Sequence, residues 1–487
     1  MSSKEAKYIT TTLPYVNADP HVGFALEIVQ ADALARYWRL IGHEVFFNTG
    51  TDEHGQKIAG KADEAGQARQ EYVDHYAGEF QKLKEALNLS YNKFIRTTDG
   101  DHKKAAQEIW RRCAANVNEK GEPDIYQKKY KGLYCVGDEM FLRDSDLVDG
   151  KCPNHPNMDP VVIEEENYFF RLSRYQSYLE EYLSRQDVII PEWQRQWALD
   201  FVKGGLEDFS ISREKYRLDW GVPVPDDDSQ VMYVWFDALT NYISTLGWGG
   251  EDESNFKKFW EEGETLQLAG KDQVRFQSIM WQAMLKSAGI KATDKVFYHG
   301  FINSGGQKMS KSLGNVISPY DMIKRYGTDA TRYILLRHVH PFDDSDVTWE
   351  KMDGWYTANL VNGLGNLTAR IMKMAEANLE VPIEKPEILE FDKDYLDALK
   401  NFNFQAACDL VWKKIGGLDE RITTEEPFKL VKTDKDKAIK IIQELLRELY
   451  IIGRLLHPIM PEANVAIKEA VLKNKKPENL FKRLPES

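Results

Sequence analysis

The feature that most constrains this chain is a strand–helix alternation that starts at once, breaks off near Val117, and resumes after residue 230. Residues 7–13 read as a strand ending at Pro14. Residues 22–40 carry Val22, Leu26, Val29, Ala33 and Tyr37 at helical spacing and stop before Gly42, a glycine placed to terminate a helix. Residues 44–48 and 92–98 are further strand candidates with helical segments between them. This βαβα order predicts an α/β fold with a doubly wound parallel sheet. From 117 to 225 the pattern is lost. The stretch 126–170 is rich in Tyr, Gly, Pro and charge, which reads as an insertion. Strand signals return at 231–236, 265–268 and 295–302, with a helix over 274–288. From Trp355 onward only helical periodicity is visible, as in 437–456, and this predicts an all-α bundle.

Composition narrows the class. No apolar run approaches the ~18 residues a membrane helix needs, and the first residues carry no apolar leader, so a cytoplasmic protein with no membrane partner is expected. Four cysteines in 487 residues do not make a disulfide framework. Lys plus Arg is 64 against 77 Asp plus Glu, a formal charge of −13. That argues against a nucleic-acid coat, but the excess acid lies before Trp355, and the remainder is balanced. A local nucleic-acid site on the helical part is compatible with this charge.

Two segments carry chemistry. The first is the turn after the first strand, Leu13-Pro14-Tyr15-Val16-Asn17-Ala18-Asp19-Pro20-His21-Val22-Gly23. Open α/β sheets bind ligands at the carboxyl ends of their strands. A helix starting near His21 is expected to offer free backbone N–H groups to phosphate, with the His21 imidazole as a further donor and Gly23 leaving room for a flat base. The second is Gly305-Gly306-Gln307-Lys308-Met309-Ser310-Lys311-Ser312. Two lysines three apart on a glycine-flanked loop suit a triphosphate whose charge grows during reaction.

Together these segments resemble the paired "HIGH" and "KMSKS" signatures of class I aminoacyl-tRNA synthetases, the second unaltered. Further stretches narrow the resemblance to the methionyl-tRNA synthetase family: Thr51-Asp52-Glu53-His54-Gly55, the string EEENYFFRLSRY over 164–175, Tyr233-Val234-Trp235-Phe236-Asp237-Ala238, Gly270-Lys271-Asp272 and 361–366. The resemblance spans nearly the whole chain. It implies ATP-dependent attachment of methionine to tRNA-Met through methionyl-adenylate, with magnesium on the phosphates. It implies a Rossmann-like catalytic domain in two halves (1–116 and 226–320), an inserted connective domain (117–225), a stem-contact linker region (321–354) and an α-helical anticodon-binding domain (355–487).

Residue roles follow from the same resemblance. His21, Lys308 and Lys311 would be catalytic. ATP would be held by these three with Gly23, Glu27, Gly270 and Asp272. Methionine would meet Leu13, Tyr15, Asp52, Trp235, Tyr242, Phe276, Gln277 and Trp281. An aromatic pocket suits an apolar, polarisable thioether, and a carboxylate such as Asp52 suits an α-ammonium. Asn366, Arg370 and Phe428 match anticodon-reading positions.

Four departures from the family pattern stand out. Phe24 replaces a second histidine, Gln277 a pocket histidine, and Phe428 a tryptophan that stacks on the anticodon. In the insertion, Cys135-x2-Asp138 and Cys152-x2-His155 stand where relatives hold zinc with Cys-x2-Cys and Cys-x2-His. With Asp138 in place of a thiolate, a metal-free knuckle is expected. Relatives with an extra C-terminal module dimerise through it, and the chain lacks that module, so a monomer is expected. Competing readings are a class I synthetase for another amino acid, a non-catalytic tRNA-binding paralogue, and a small-molecule nucleotidyltransferase.

Overall fold

The computed structural model describes residues 5–137, 140–142, 146–153, 155–309, 314–387 and 391–485. It divides into two compact units. The first comprises Met1–Asp19, His43–Lys82 and Tyr91–Tyr298; the second comprises Pro20–Gly42, Leu83–Ser90 and His299–Ser487.

The first unit is built on a six-stranded sheet of β1 (Ala6–Thr10), β2 (Glu44–Thr51), β3 (Lys93–Arg96), β4 (Ile189–Ile190), β5 (Glu264–Gly270) and β6 (Lys295–His299). The strand order is β3-β2-β1-β5-β6-β4, and the registers of β1 with β2 and β5, of β2 with β3, and of β6 with β4 are all parallel. This is the predicted parallel α/β core. Tyr8, Ile9 and Thr10 are all fully buried, which is why β1 shows no alternation: a parallel strand covered on both faces need not have one. Gly50 in β2 is required by close approach, since a Cβ there would lie 1.9 Å from the Ile95 carbonyl oxygen. The chain order reverses between β1 and β5, so their carboxyl ends flank the crevice where such sheets bind ligands.

Three readings of the sequence are corrected. The strand expected over 231–236 ends at Met232. It belongs to a small antiparallel sheet of Ser212–Glu214, Pro223–Val224 and Asp227–Met232, and Val234–Ala238 is helical. A short buried apolar run does not by itself distinguish strand from helix. The strand expected over 295–302 breaks at Gly300, where a Cβ would sit 2.2 Å from the Asp343 carbonyl carbon. Ile302–Ser304 instead pairs with Gln307–Lys308 and Ser345–Asp346. Finally, Ile189–Ile190, inside the stretch read as an insertion, forms an edge of the main sheet. The same stretch also forms a four-stranded antiparallel sheet of its own, Ile125–Cys135, Met140–Leu142, Val161–Phe170 and Phe209–Ser210.

The second unit is largely helical. It contains α1 (Val22–Leu40), which is followed by Gly42 at φ +100° as expected of a helix terminator. Its long helices are Asn366–Asn378, Phe404–Glu425, Lys435–Leu455 and Pro461–Lys473. An ion cluster centred on the fully buried Asp32 and Arg332 joins α1 to this region. Asp32 Oδ2 lies 2.8 Å from Arg332 Nη2 and 2.7 Å from Arg36 Nε. Arg332 also donates to the carbonyls of Ile459, Leu87 and Pro458, each at 3.0 Å. Burial alone would raise the Asp32 carboxyl, but Arg332 and Arg36 hold it below the usual carboxylate range. No helix among the described residues is long and apolar enough to cross a membrane.

Candidate active site

In the first unit the segment after β1 runs beside the end of β2. Tyr15 bridges Asp52 in parallel register, Asp52 N donates to Pro14 O at 3.0 Å, and Val16 N donates to Asp52 O at 3.3 Å. Asp52 is nearly buried and its Oδ1 accepts from Thr97 Oγ1 at 3.4 Å. The adjacent Glu53 is locked by a two-point contact from Arg96, 2.6 and 2.8 Å, so the backbone that carries Asp52 is fixed from the next residue.

Fixing continues through His54. Its Nδ1 lies 2.6 Å from Asp237 Oδ2. The other oxygen of Asp237 meets His102 Nε2 at 2.8 Å, and His102 Nδ1 meets Ser244 Oγ at 2.9 Å. All four residues are buried. Burial would push the Asp237 carboxyl up; the pull of His54 and hydrogen bonds with both imidazoles outweigh it and hold it at about 2. This relay ties the Asp52 segment to the short helix Val234–Ala238, which carries Trp235. The sequence reading missed His102 and the role of Asp237.

Most of the predicted methionine residues come together here. Trp235 stacks flat on Phe276, with centroids 3.9 Å apart and planes at 9°, and Tyr15 meets Trp235 edge-on at 6.4 Å. Tyr242 approaches Trp281 at 5.8 Å and accepts a 2.6 Å hydrogen bond from Gln277 Nε2. Phe276 and Gln277 lie in a π-helical segment, Arg275–Met280, that continues into the α-helix Trp281–Ser287; widened turns of this kind are frequent at functional sites. Leu13 is half-buried. Gly270 is buried at the end of β5, and the exposed Asp272 follows it with Oδ2 accepting from Gln273 at 2.7 Å.

The second unit holds the other nucleotide candidates. His21 caps α1: its Nδ1 accepts from Gly23 N at 3.1 Å. A Cβ on residue 23 would lie 2.9 Å from His21 Cε1, so glycine makes room for the imidazole. Val22 N donates to Ile317 O at 3.0 Å, and Phe24 N and Ala25 N donate to His21 O. The expected free N–H groups at this helix start are therefore already taken, which corrects the sequence reading. With Nδ1 acting as acceptor, the neutral ring carries its proton on Nε2. Phe24 is buried. Glu27, also buried, lies 3.0 Å from His299 Nε2, while His299 Nδ1 contacts Gly300 O at 2.8 Å; His299 was not legible in the sequence.

Gly305 and Gly306, at φ +65° and +74°, make the two-residue turn between Ser304 and Gln307 that positive φ at both positions permits. Gly306 N is held by Asp346 Oδ1 at 2.7 Å. Lys308 is exposed, with Nζ 5.8 Å from the Phe301 ring centroid. Lys311 lies outside the described residues.

In the helical region, Asn366 is exposed at the start of its helix, and Arg370, one turn on, is ion-paired with Asp419. Phe428 is 45% exposed in the short helix Pro427–Leu430.

In the insertion, Cys135, Cys152 and His155 place their donor atoms within 4.8 Å of one another, with sulfur–Nδ1 distances of 3.6 and 3.9 Å. Thiolate and imidazole ligands on a tetrahedral zinc stand about 3.6 Å apart. The three donors fit three corners of such a site; Asp138 lies outside the described residues.

The profile of the family described as tRNA synthetases class I (M) matches residues 7–160 and 155–372. The chain belongs to this family. Among similar proteins of the family, the methionine–tRNA ligase of Fusobacterium nucleatum is 39% identical over 94% of this chain and 73% of its own length. That of Thermotoga maritima is 38% identical over 96% and 76%. The methionyl-tRNA synthetase of Mycobacterium tuberculosis, solved in complex with methionyl-adenylate, superposes with a TM-score of 0.86 at 35% identity, covering 99% of both chains. The synthetase fold and its assignment among the methionine enzymes thus extend along the whole chain.

Proposed function

We propose that this synthetase activates methionine with ATP and transfers it to tRNA-Met, releasing pyrophosphate and AMP. A carboxylate oxygen of methionine attacks the α-phosphorus, and the bond to pyrophosphate breaks. A ribose hydroxyl at the tRNA 3′ end then attacks the activated carbonyl and AMP leaves. No protein nucleophile is needed, so the work of the chain is positioning and charge stabilisation.

The observation that carries this reading is the tie between Val22 and Ile317. It anchors the His21 turn to the stretch just after the dilysine loop, as one nucleotide shared by both segments requires. In this reading His21 Nε2, Lys308 and Lys311 meet the phosphates during pyrophosphate departure. Gly23, Glu27, Gly270 and Asp272 serve the adenosine. Magnesium, carried by the phosphates, would neutralise part of their charge. Asp52 holds the α-ammonium, with Leu13, Tyr15, Trp235, Tyr242, Phe276, Gln277 and Trp281 around the side chain. Asn366, Arg370 and Phe428 read the anticodon within 355–487, and residues 1–116 and 226–320 carry the chemistry. The spacing of Cys135, Cys152 and His155 supports a bound zinc in the connective stretch, against the metal-free knuckle expected from Asp138. A cytoplasmic monomer completes the proposal; light scattering tests the monomer.

The deciding experiment is amino-acid-dependent exchange of labelled pyrophosphate into ATP, followed by charging of tRNA-Met. Exchange with methionine supports the proposal. Exchange only with another amino acid, or none, overturns it.

A further inference from the structure

The helix Glu192–Lys203 exposes tryptophan and buries polar groups. It leaves the carboxyl end of β4 through Pro191, on the edge of a parallel sheet where ligands bind. Its buried residues include Gln194 and Arg195, whereas Trp193 and Trp197 are 48% and 43% exposed. A helix of a globular protein ordinarily turns its apolar stripe inward. The inward polar groups anchor the helix: Gln194 Nε2 donates to Lys271 O at 2.9 Å, and Arg195 donates to Glu192 Oε2 at 2.8 Å and to Leu183 O at 2.6 Å. Trp193 and Trp197, four residues apart, share one face. Trp197 stacks on Phe201, one turn further on, with centroids 5.5 Å apart and planes at 16°. Arg275 Cζ lies 4.5 Å from the centre of the Phe201 ring, and its Nη1 lies 3.8 Å from Asp146 Oδ1. The helix therefore runs beside the segment 271–276, tied to Lys271 near its start and meeting Arg275 near its end. Phe201, Arg275 and Phe276 share the wall of a cavity of about 480 Å³, and Phe276 is the ring stacked on Trp235.

Resting on the tRNA-charging reading above, we propose that Trp193 and Trp197, continued by Phe201, form a stacking platform for the unpaired 3′ end of the tRNA. Unpaired bases stack on aromatic rings whatever their sequence, because every base has a π-face. Such contacts suit a strand end that must be guided rather than read. The guanidinium of Arg275 over Phe201 adds a planar cation at the inner end of the ladder, a group on which a base also stacks. A cavity of this size accepts a ligand as large as a nucleoside. Continuity selects the occupant. The segment beside the ladder carries Asp272, assigned above to the adenosine, and Phe276, assigned above to methionine. The 3′ ribose has to arrive where those two substrates are joined, whereas a protein seated on the tryptophans would stand over the same segment.

The test uses the full chain with Trp193→Ala, Trp197→Ala and the corresponding phenylalanine variants. Charging is measured as kcat/KM for tRNA-Met, and pyrophosphate exchange is measured without tRNA. Binding is followed with tRNA-Met carrying 2-aminopurine in place of its terminal adenine, and with tRNA-Met lacking its unpaired 3′ nucleotides. Each alanine variant should lower kcat/KM for tRNA by about tenfold, the scale of one lost base stack, and leave exchange unchanged. Phenylalanine, which keeps a ring, should restore most of the loss. The quenching of 2-aminopurine on binding should weaken in the alanine variants, and the shortened tRNA should bind wild type and variants equally. Unchanged charging in both alanine variants overturns the inference. So does equal loss of exchange and charging, which assigns the tryptophans to folding. Self-association of wild type that the alanine variants abolish, seen by light scattering, overturns it in favour of an interface between copies. Failure of the underlying function looks different, since wild type would then show neither exchange nor charging with methionine.

Discussion

The amide of Val22 donates to the carbonyl of Ile317 across 3.0 Å, so the first turn of α1 and the chain leaving the dilysine loop share one backbone hydrogen bond. The loop between Ser304 and Ile317 is thus tethered at both ends, by the Gly305–Gly306 turn on Asp346 and by Val22. Lys308 and Lys311 both fall within this stretch of the sequence. Removing either charge should slow adenylate formation by about 100- to 1,000-fold, the scale of losing one preorganised contact to developing charge. Pyrophosphate exchange by Lys308→Ala and Lys311→Ala measures this; a normal rate would remove that lysine from the mechanism.

Gly23→Ala offers a test of His21 that leaves the imidazole in place. Residue 23 has ordinary helical geometry, so alanine strains nothing locally, but its Cβ would meet His21 Cε1 at 2.9 Å. The ring must swing away and surrender its cap on Gly23 N. Exchange activity should fall at least tenfold, from a displaced donor, while the melting temperature shifts by only a few degrees.

Phe428 stands exposed and distant in sequence from both nucleotide segments. Phe428→Ala should weaken tRNA charging by about 1–3 kcal/mol, the worth of one base stacked on an aromatic ring, and leave exchange intact. Equal loss of both activities would assign Phe428 to folding instead.

The Asp237 relay predicts an acid-dependent stability term. The carboxyl sits at about 2 in the folded chain and near 3.9 when unfolded. A depressed folded value means stabilisation that is complete above about pH 4 and lost as pH falls through about 2. At neutral pH it amounts to about 2–3 kcal/mol. The stability gap between wild type and Asp237→Asn, from denaturant titration, should be open at pH 7 and narrow as pH falls below about 4; a gap independent of pH would detach the charge of Asp237 from stability.

Metal analysis of the purified protein should find one zinc per chain, reduced in Cys152→Ser. Absence of zinc in wild type would restore the metal-free knuckle.

The two motif segments were legible because their chemistry is local: glycines that set turns, and charged side chains that the turns present. The parallel sheet was legible from its alternation, and the aromatic pocket from the resemblance. What escaped was whatever depends on partners far along the chain. Asp237 meets His54 and His102 across separations of 183 and 135 residues, and His299 meets Glu27 across 272; no local pattern announces such pairs. The occupied N–H of Val22 escaped for the same reason, since Ile317 lies far along the chain, just past the other motif; those of Gly23, Phe24 and Ala25 are met locally by His21. The strand at 231–236 was misjudged because Tyr233 turns the chain in the middle of an apolar run.

The burial of Asp32 against Arg332 sets a limit on modularity. Detaching the helical tail would withdraw the carbonyls of Pro458 and Ile459 from Arg332 and open the cluster to water, leaving charges in a seam that was built dry. Protein engineers seeking a minimal catalytic fragment from this chain should therefore cut beyond Met460, or redesign positions 32 and 332 together.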